Sequence, residues 1–248
     1  GSGLGDWTYN RCLTWNDATH RTVLSIEYGG MNDCLYELYA ITGKESHAVA
    51  AHYFDETALH EKVLEGGTSV LTNRHANTTI PKFVGALKRY IVLHGKTIGG
   101  QTVDASIYLK YAEAFWDNVT TNHTYITGGN SEWEHFGVDL ILDKERTNCN
   151  CETCNVYNML KMTKSLFMIT GDIKYADWYE NTYINSILSS QNPADGMTTY
   201  FQPMASGYYK VYGEPFNKFW CCTGTGMENF SKLQESFYFE KDNALIVN

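Results

Sequence analysis

Asn155-Val156-Tyr157-Asn158-Met159-Leu160-Lys161-Met162-Thr163-Lys164-Ser165-Leu166-Phe167-Met168-Ile169, followed at once by Thr170-Gly171-Asp172, decides the fold class of this chain. The run reads as one helix, the triplet ends it, and residues 174–190 read as a second helix that returns alongside the first. Working outward, the same arrangement recurs nearer the start. Residues 19–42 carry Val23, Leu24, Ile26, Met31, Leu35, Leu38 and Ile41 at helical spacing, broken into two pieces at Gly29-Gly30. Ile41-Thr42-Gly43-Lys44 stops that helix, with Gly43 as its C-terminal cap, and residues 45–64 read as one returning helix. Residues 81–93 and 103–119 form a further pair around the glycine-rich segment 95–100. The expectation is an all-α chain of repeated helical hairpins, the unit from which solenoids and α/α toroids are built.

Two stretches, residues 124–150 and 192–217, lack helical periodicity and are rich in glycine, aromatic or acidic residues. Loops of that length in a helical protein usually serve a site. Residues 227–235 suit one more helix, and residues 236–239 with 244–247 alternate as the start of a strand pair. The chain stops on that apolar run, so the expectation is a piece of something larger.

At 248 residues, 43% of them hydrophobic and 14% aromatic, the chain can bury a substantial core, and a single domain is expected. A formal charge of −9 and the lack of any basic run argue against a nucleic acid or an anionic membrane surface as partner. No run of about 18 apolar residues is present, so no membrane-spanning helix is expected, and no signal-peptide pattern opens the chain.

Of the seven cysteines, five fall in two tight groups, Cys149-Asn150-Cys151-Glu152-Thr153-Cys154 and Phe219-Trp220-Cys221-Cys222-Thr223-Gly224-Thr225-Gly226-Met227-Glu228-Asn229. Adjacent cysteines close a disulfide only through a strained ring, whereas two adjacent thiolates can both reach one soft metal ion. The two groups together could build a zinc site, with Cys149 and Cys151 open as ligands by spacing alone. Thiols kept free in this way favour the cytoplasm. Cys12 and Cys34 read as small core residues.

These residues carry a resemblance. The chain resembles the beta-L-arabinofuranosidases of glycoside hydrolase family 127, with the related family 146, through His75-Ala76-Asn77-Thr78, Gly128-Gly129, Glu134-His135-Phe136, Glu152-Thr153-Cys154, Tyr175-Ala176-Asp177 and residues 219–229. The resemblance implies part of an (α/α)6 catalytic barrel over residues 1–235, with its first helices missing, and the start of a truncated β-sandwich over 236–248. It implies release of terminal beta-L-arabinofuranosyl units, with retention, from arabinose-containing glycans or glycopeptides. By the same resemblance Zn2+ is held by Glu152, Cys154, Cys221 and Cys222. Cys221 is the nucleophile, Glu134 the acid/base, and His75, Tyr200 and His135 contact the sugar. Glu132 competes for the acid/base role, and Trp133 and Trp220 could stack on the sugar or simply pack. Two other readings stay open at this stage: a helical binding module with a structural zinc, and an inactive piece of the hydrolase that associates with a second copy across an apolar seam.

Overall fold

The computed structural model describes residues 2–26, 28–98 and 100–248. The chain divides into two units, Gly1–Val70 with Thr78–Phe115, and Leu71–Asn77 with Trp116–Asn248.

The helices of the first unit are α1 (Ser2–Cys12), α2 (Asp17–Ser25), α3 (Met31–Thr42), α4 (Glu45–His52) and α5 (Thr57–Glu65), followed by most of α6 (Ala76–Leu93) and the start of α7 (Ser106–Asn122). Between α6 and α7 the chain makes a two-residue ladder, β1 (Thr97–Ile98) against β2 (Gln101–Thr102). Leu35, Tyr36, Ala48, Ala50, Ala51, Phe54, Val92, Leu93 and Cys12 form its apolar core. Cys12 is thus a core residue as expected, but Cys34 is exposed. On α3 the buried positions are Asn32, Asp33, Leu35 and Tyr36, so position 34 points outward.

Residues 45–64 are not the single helix expected. The chain breaks at Tyr53–Glu56 because Asp55 is drawn into the interior, where Asn32 Nδ2 (3.1 Å) and Arg89 Nη1 (2.7 Å) donate to its carboxylate and the Tyr36 hydroxyl donates as well. A buried carboxylate keeps its charge only when so partnered. Helix α6 begins five residues before Pro81 rather than at it, with the proline inside the helix. Gly99, in the glycine-rich segment, and Glu27, before the Gly29-Gly30 break, lie outside the described residues.

The second unit holds α8 (Thr153–Thr170), α9 (Ile173–Thr182), α10 (Cys221–Ser231) and a C-terminal hairpin, β3 (Tyr238–Lys241) antiparallel to β4 (Ala244–Val247). The two predicted Thr-Gly stops use the same chemistry. Gly43 and Gly171 each have φ of 68° and donate their N–H to the carbonyl four residues back, at 2.8 Å. The preceding hydroxyls, Thr42 and Thr170, accept from the amides of Lys44 and Asp172. Left-handed backbone at that position is what glycine supplies without steric cost. Asp172 then caps α9, accepting from the Lys174 amide at 3.0 Å.

The core of this hairpin joins Val156 and Leu160 of α8 to Tyr183 and Ile187. Residues 183–190 continue α9 as a π turn (Tyr183–Ile187) and a 3-10 turn (Leu188–Ser190). Wide turns of that kind leave carbonyls available to other partners. Here the Ser186 carbonyl accepts from the Gln202 side-chain amide, tying the long loop 191–220 to the hairpin. That loop and the one at 123–152 are held by isolated β-bridges, among them Thr124 with Asn130 and Thr199 with Tyr212.

Candidate active site and metal centre

The structure puts the three sulfurs of the expected zinc site at helix starts. Cys154 lies in the first turn of α8, and Cys221 and Cys222 are the first two residues of α10. The Thr223 hydroxyl accepts from the Trp220 amide at 3.2 Å, which fixes where α10 begins. The expected start at residue 227 is therefore six residues late. Gly224 and Gly226 lower the helix propensity of this turn, yet Gly226 allows close packing: a Cβ there would meet the Thr198 hydroxyl at 2.6 Å.

The two helix starts converge. Cys154 Sγ lies 3.2 Å from Cys222 Sγ, and Glu152 Oε1 lies 3.8 Å from Cys222 Sγ and 3.9 Å from Cys221 Sγ. All four ligand atoms are within 4.8 Å of one another. Sulfurs held tetrahedrally about 2.3 Å from a zinc ion lie roughly 3.8 Å apart, so the spacing fits such an ion. The second carboxylate oxygen, Glu152 Oε2, is buried without a hydrogen-bond partner, an orphan that a cation would satisfy. Three sulfurs and one carboxylate suit a zinc-like ion by ligand type.

Hydrogen bonding from Cys154 and Cys222 pulls the Cys221 thiol far below the usual thiol range, while the same contacts push Cys222 up. Burial, with the charge on Cys221 and on Glu134, raises the Glu152 carboxyl to about 8. Helix N-termini favour an anion at this spot. Cys221 is the exposed sulfur of the set; Cys154, Cys222 and Glu152 are closed off.

Opposite Cys221 stands Glu134, on a tight turn. Glu132 and His135 exchange backbone hydrogen bonds at 3.0 Å, and the two residues between them, Trp133 and Glu134, have φ of 44° and 68°. Two successive positive φ angles define the hairpin turn that normally takes Asn-Gly, so a Trp-Glu pair there is held in strained backbone. The turn aims Glu134 inward. Its Oε1 accepts from the Tyr200 hydroxyl and its Oε2 lies 3.3 Å from His75 Nε2. Glu132 turns away, accepting from Thr147 Oγ1 at 3.2 Å. Tyr200 also lies 3.7 Å from Cys221 Sγ, so one phenolic oxygen touches both groups. Burial and the Glu134 carboxylate raise the Tyr200 phenol well above its usual range, so it remains a neutral donor.

The first motif is anchored beside them. The Ala76 amide donates to Glu134 O at 2.7 Å, the His75 and His135 rings meet edge to face at 5.2 Å, and Asn77 Oδ1 accepts from Asn158 on α8 at 2.9 Å. His135 itself is turned outward, its Nδ1 2.7 Å from the Trp133 carbonyl. Cys149 and Cys151 are outside the cluster. Cys151 is fully buried against Gly129, where a Cβ would come within 2.6 Å of its sulfur, and burial raises its thiol. Thr225, whose hydroxyl lies 3.3 Å from Cys154 Sγ, is a neighbour that sequence reasoning does not single out.

Residues 2–235 match the family model described as "Beta-L-arabinofuranosidase, GH127 catalytic domain". The chain belongs to that family. Among solved structures it is similar to a GH127 beta-arabinofuranosidase (24% identity, TM-score 0.67, covering 88% of this chain and 34% of that one). It is also similar to a GH127 beta-L-arabinofuranosidase from Geobacillus stearothermophilus T6 (19% identity, TM-score 0.61, 87% and 38% covered). A third, more remote likeness is to a GH76 alpha-mannanase of Bacteroides thetaiotaomicron (14% identity, TM-score 0.52, 83% and 50% covered). These likenesses show the fold, the partial toroid of helical hairpins expected from the sequence. This GH127 chain spans 34% to 38% of the length of the two arabinofuranosidases. No curated protein sequence matches it.

Proposed function

We propose that this GH127 chain supplies the catalytic residues of a retaining glycoside hydrolase that releases beta-L-arabinofuranose, with Cys221 as nucleophile and Glu134 as acid/base. The observation that carries the reading is the Tyr200 hydroxyl, which touches both Glu134 Oε1 and Cys221 Sγ. Sulfur and carboxylate are thus separated by at most one short hydrogen bond plus 3.7 Å. That is the scale of the ~5.5 Å gap across which a retaining double displacement operates.

In the first half-reaction the Cys221 sulfur attacks the anomeric carbon as the bond to the leaving oxygen breaks, and Glu134 gives that oxygen its proton. In the second, Glu134, now a carboxylate, takes a proton from water, whose oxygen displaces the sulfur from the anomeric carbon and returns the thiolate. His75 and Tyr200 hold the Glu134 carboxylate in place and would contact the sugar hydroxyls, and His135, turned outward, would reach them only from the rim. Glu152, Cys154, Cys221 and Cys222 would hold Zn2+, which when bound keeps the sulfurs deprotonated near neutral pH. The substrate is an arabinofuranosyl-containing carbohydrate. On this reading residues 1–235 are part of an (α/α)6 catalytic domain and the β3–β4 hairpin begins a β-sandwich.

The test is a pair of substrates. Glu134→Gln should spare kcat/KM for an aryl beta-L-arabinofuranoside, which reports the first half-reaction and whose leaving group needs little protonation, and lower kcat/KM for an alkyl one by roughly 10²–10⁴-fold. Equal losses on both would move the acid role elsewhere.

A further inference from the structure

Beside the proposed site lies a cavity of about 400 Å³ whose lining includes Cys149, Tyr200, Phe201, Tyr208, Tyr209 and Trp220. Two of its walls belong to the site: Tyr200 bridges Glu134 and Cys221, and Trp220, which precedes Cys221, meets the Tyr200 ring edge-on at 5.7 Å. Two others border the turn that carries Glu134. The Trp133 amide donates to the Cys149 carbonyl at 2.9 Å, and the Trp133 ring meets Phe201 at 6.1 Å. The cavity therefore borders the site through residues next to both Cys221 and Glu134.

Its lining carries no charged side chain, and aromatic rings dominate it. Tyr208 and Tyr209 stand 57% and 81% exposed at its mouth, so their rings are held open to solvent and not spent on packing. Exposed aromatic faces lining a pocket that shares residues with a glycosidic site suit one chemistry, an uncharged flat ring laid against them. We infer that this cavity is the leaving-group subsite, with Tyr208 and Tyr209 as specificity-determining residues that select substrates whose departing alcohol carries an uncharged ring. The inference rests on the proposed hydrolase reading. A sugar ring and an aryl ring share the required face, and the two are separated by experiment.

Three beta-L-arabinofuranosides are compared on this protein: a methyl glycoside, which leaves the cavity empty, a disaccharide with a neutral second sugar, and a 4-nitrophenyl glycoside. In Tyr208→Ala and Tyr209→Ala, the ratio of kcat/KM for the disaccharide to that for the methyl glycoside should fall about 10-fold, as expected for one lost ring contact. A fall confined to the 4-nitrophenyl ratio would make the occupant an aryl group instead of a sugar. Ratios that stay constant would overturn the subsite. Should the unsubstituted protein cleave none of the three, the hydrolase reading fails by itself, and calorimetric titration with 4-nitroanisole, a ring that carries no ionisable group, still reads the cavity. Binding weakened by the two substitutions then supports the ring site, and binding indifferent to them removes it.

Discussion

Cys221, Glu134 and Tyr200 are brought together from three separate stretches of chain, and the hydroxyl of Tyr200 is the atom they share. A neutral donor between a carboxylate and a sulfur orients both without adding charge. Tyr200→Phe removes that donor and leaves the ring in place, so kcat should fall about 10–100-fold, the scale of one hydrogen bond to a charged group. Steady-state kinetics on an aryl substrate read this, and an unchanged kcat would reduce Tyr200 to packing. At this scale the sequence was informative where chemistry is rare. Vicinal cysteines suit few structural purposes, and Glu152-Thr153-Cys154 supplied their partners. It could not separate Glu134 from Glu132 on the residues alone, because the choice depends on a turn with two successive positive φ angles that Trp133-Glu134 does not advertise. Cys34 was misplaced because one small apolar residue carries no periodic information about its own face.

Helix boundaries were legible where backbone chemistry dictates them. Gly43 and Gly171 end their helices in left-handed backbone, as the Thr-Gly pairs imply. An alanine at either position must adopt the same φ of 68° against its own Cβ, so Gly171→Ala should cost about 1 kcal/mol, read as a lower urea midpoint with an unchanged slope. No loss would mean that the hairpin does not depend on that cap. Boundaries set by tertiary contacts were not legible. The break between α4 and α5 is made by Asp55 reaching Asn32, Tyr36 and Arg89, all distant in sequence. The early start of α10 combines the Thr223 cap on the Trp220 amide with close packing of Gly226 on Thr198, a distant contact that helps outweigh the poor helix propensity of a Thr-Gly-Thr-Gly run.

Across the molecule, the cluster of Glu152, Cys154, Cys221 and Cys222 joins the starts of α8 and α10, two helices whose cysteines are separated by 68 positions for Cys154 and Cys222. An ion held there links distant parts of the chain and contributes to folding. The Cys154→Ser and Cys222→Ser double substitution should abolish stoichiometric zinc by elemental analysis, and chelation should lower the Tm of the unsubstituted protein toward that of the double variant. Zinc retained at one per chain in the double variant would remove the assignment. The fold class, the hairpin repeat and the C-terminal strand pair were all readable from the sequence, because each is written in local periodicity. The division into two units was not, since two of its three boundaries fall inside α6 and α7 where periodicity runs on without interruption.

In the proposed mechanism Cys221 carries the sugar between the two half-reactions. The Glu134→Gln variant lets an aryl leaving group depart without protonation but lacks the base that activates water, so the sugar should remain on the enzyme. Mass spectrometry of that variant after incubation with an aryl beta-L-arabinofuranoside should find one pentosyl unit per chain, on the peptide containing Cys221, and none when Cys221→Ser is added. A pentosyl unit on Glu152 instead, or turnover of the substrate by the doubly substituted protein, would contradict it.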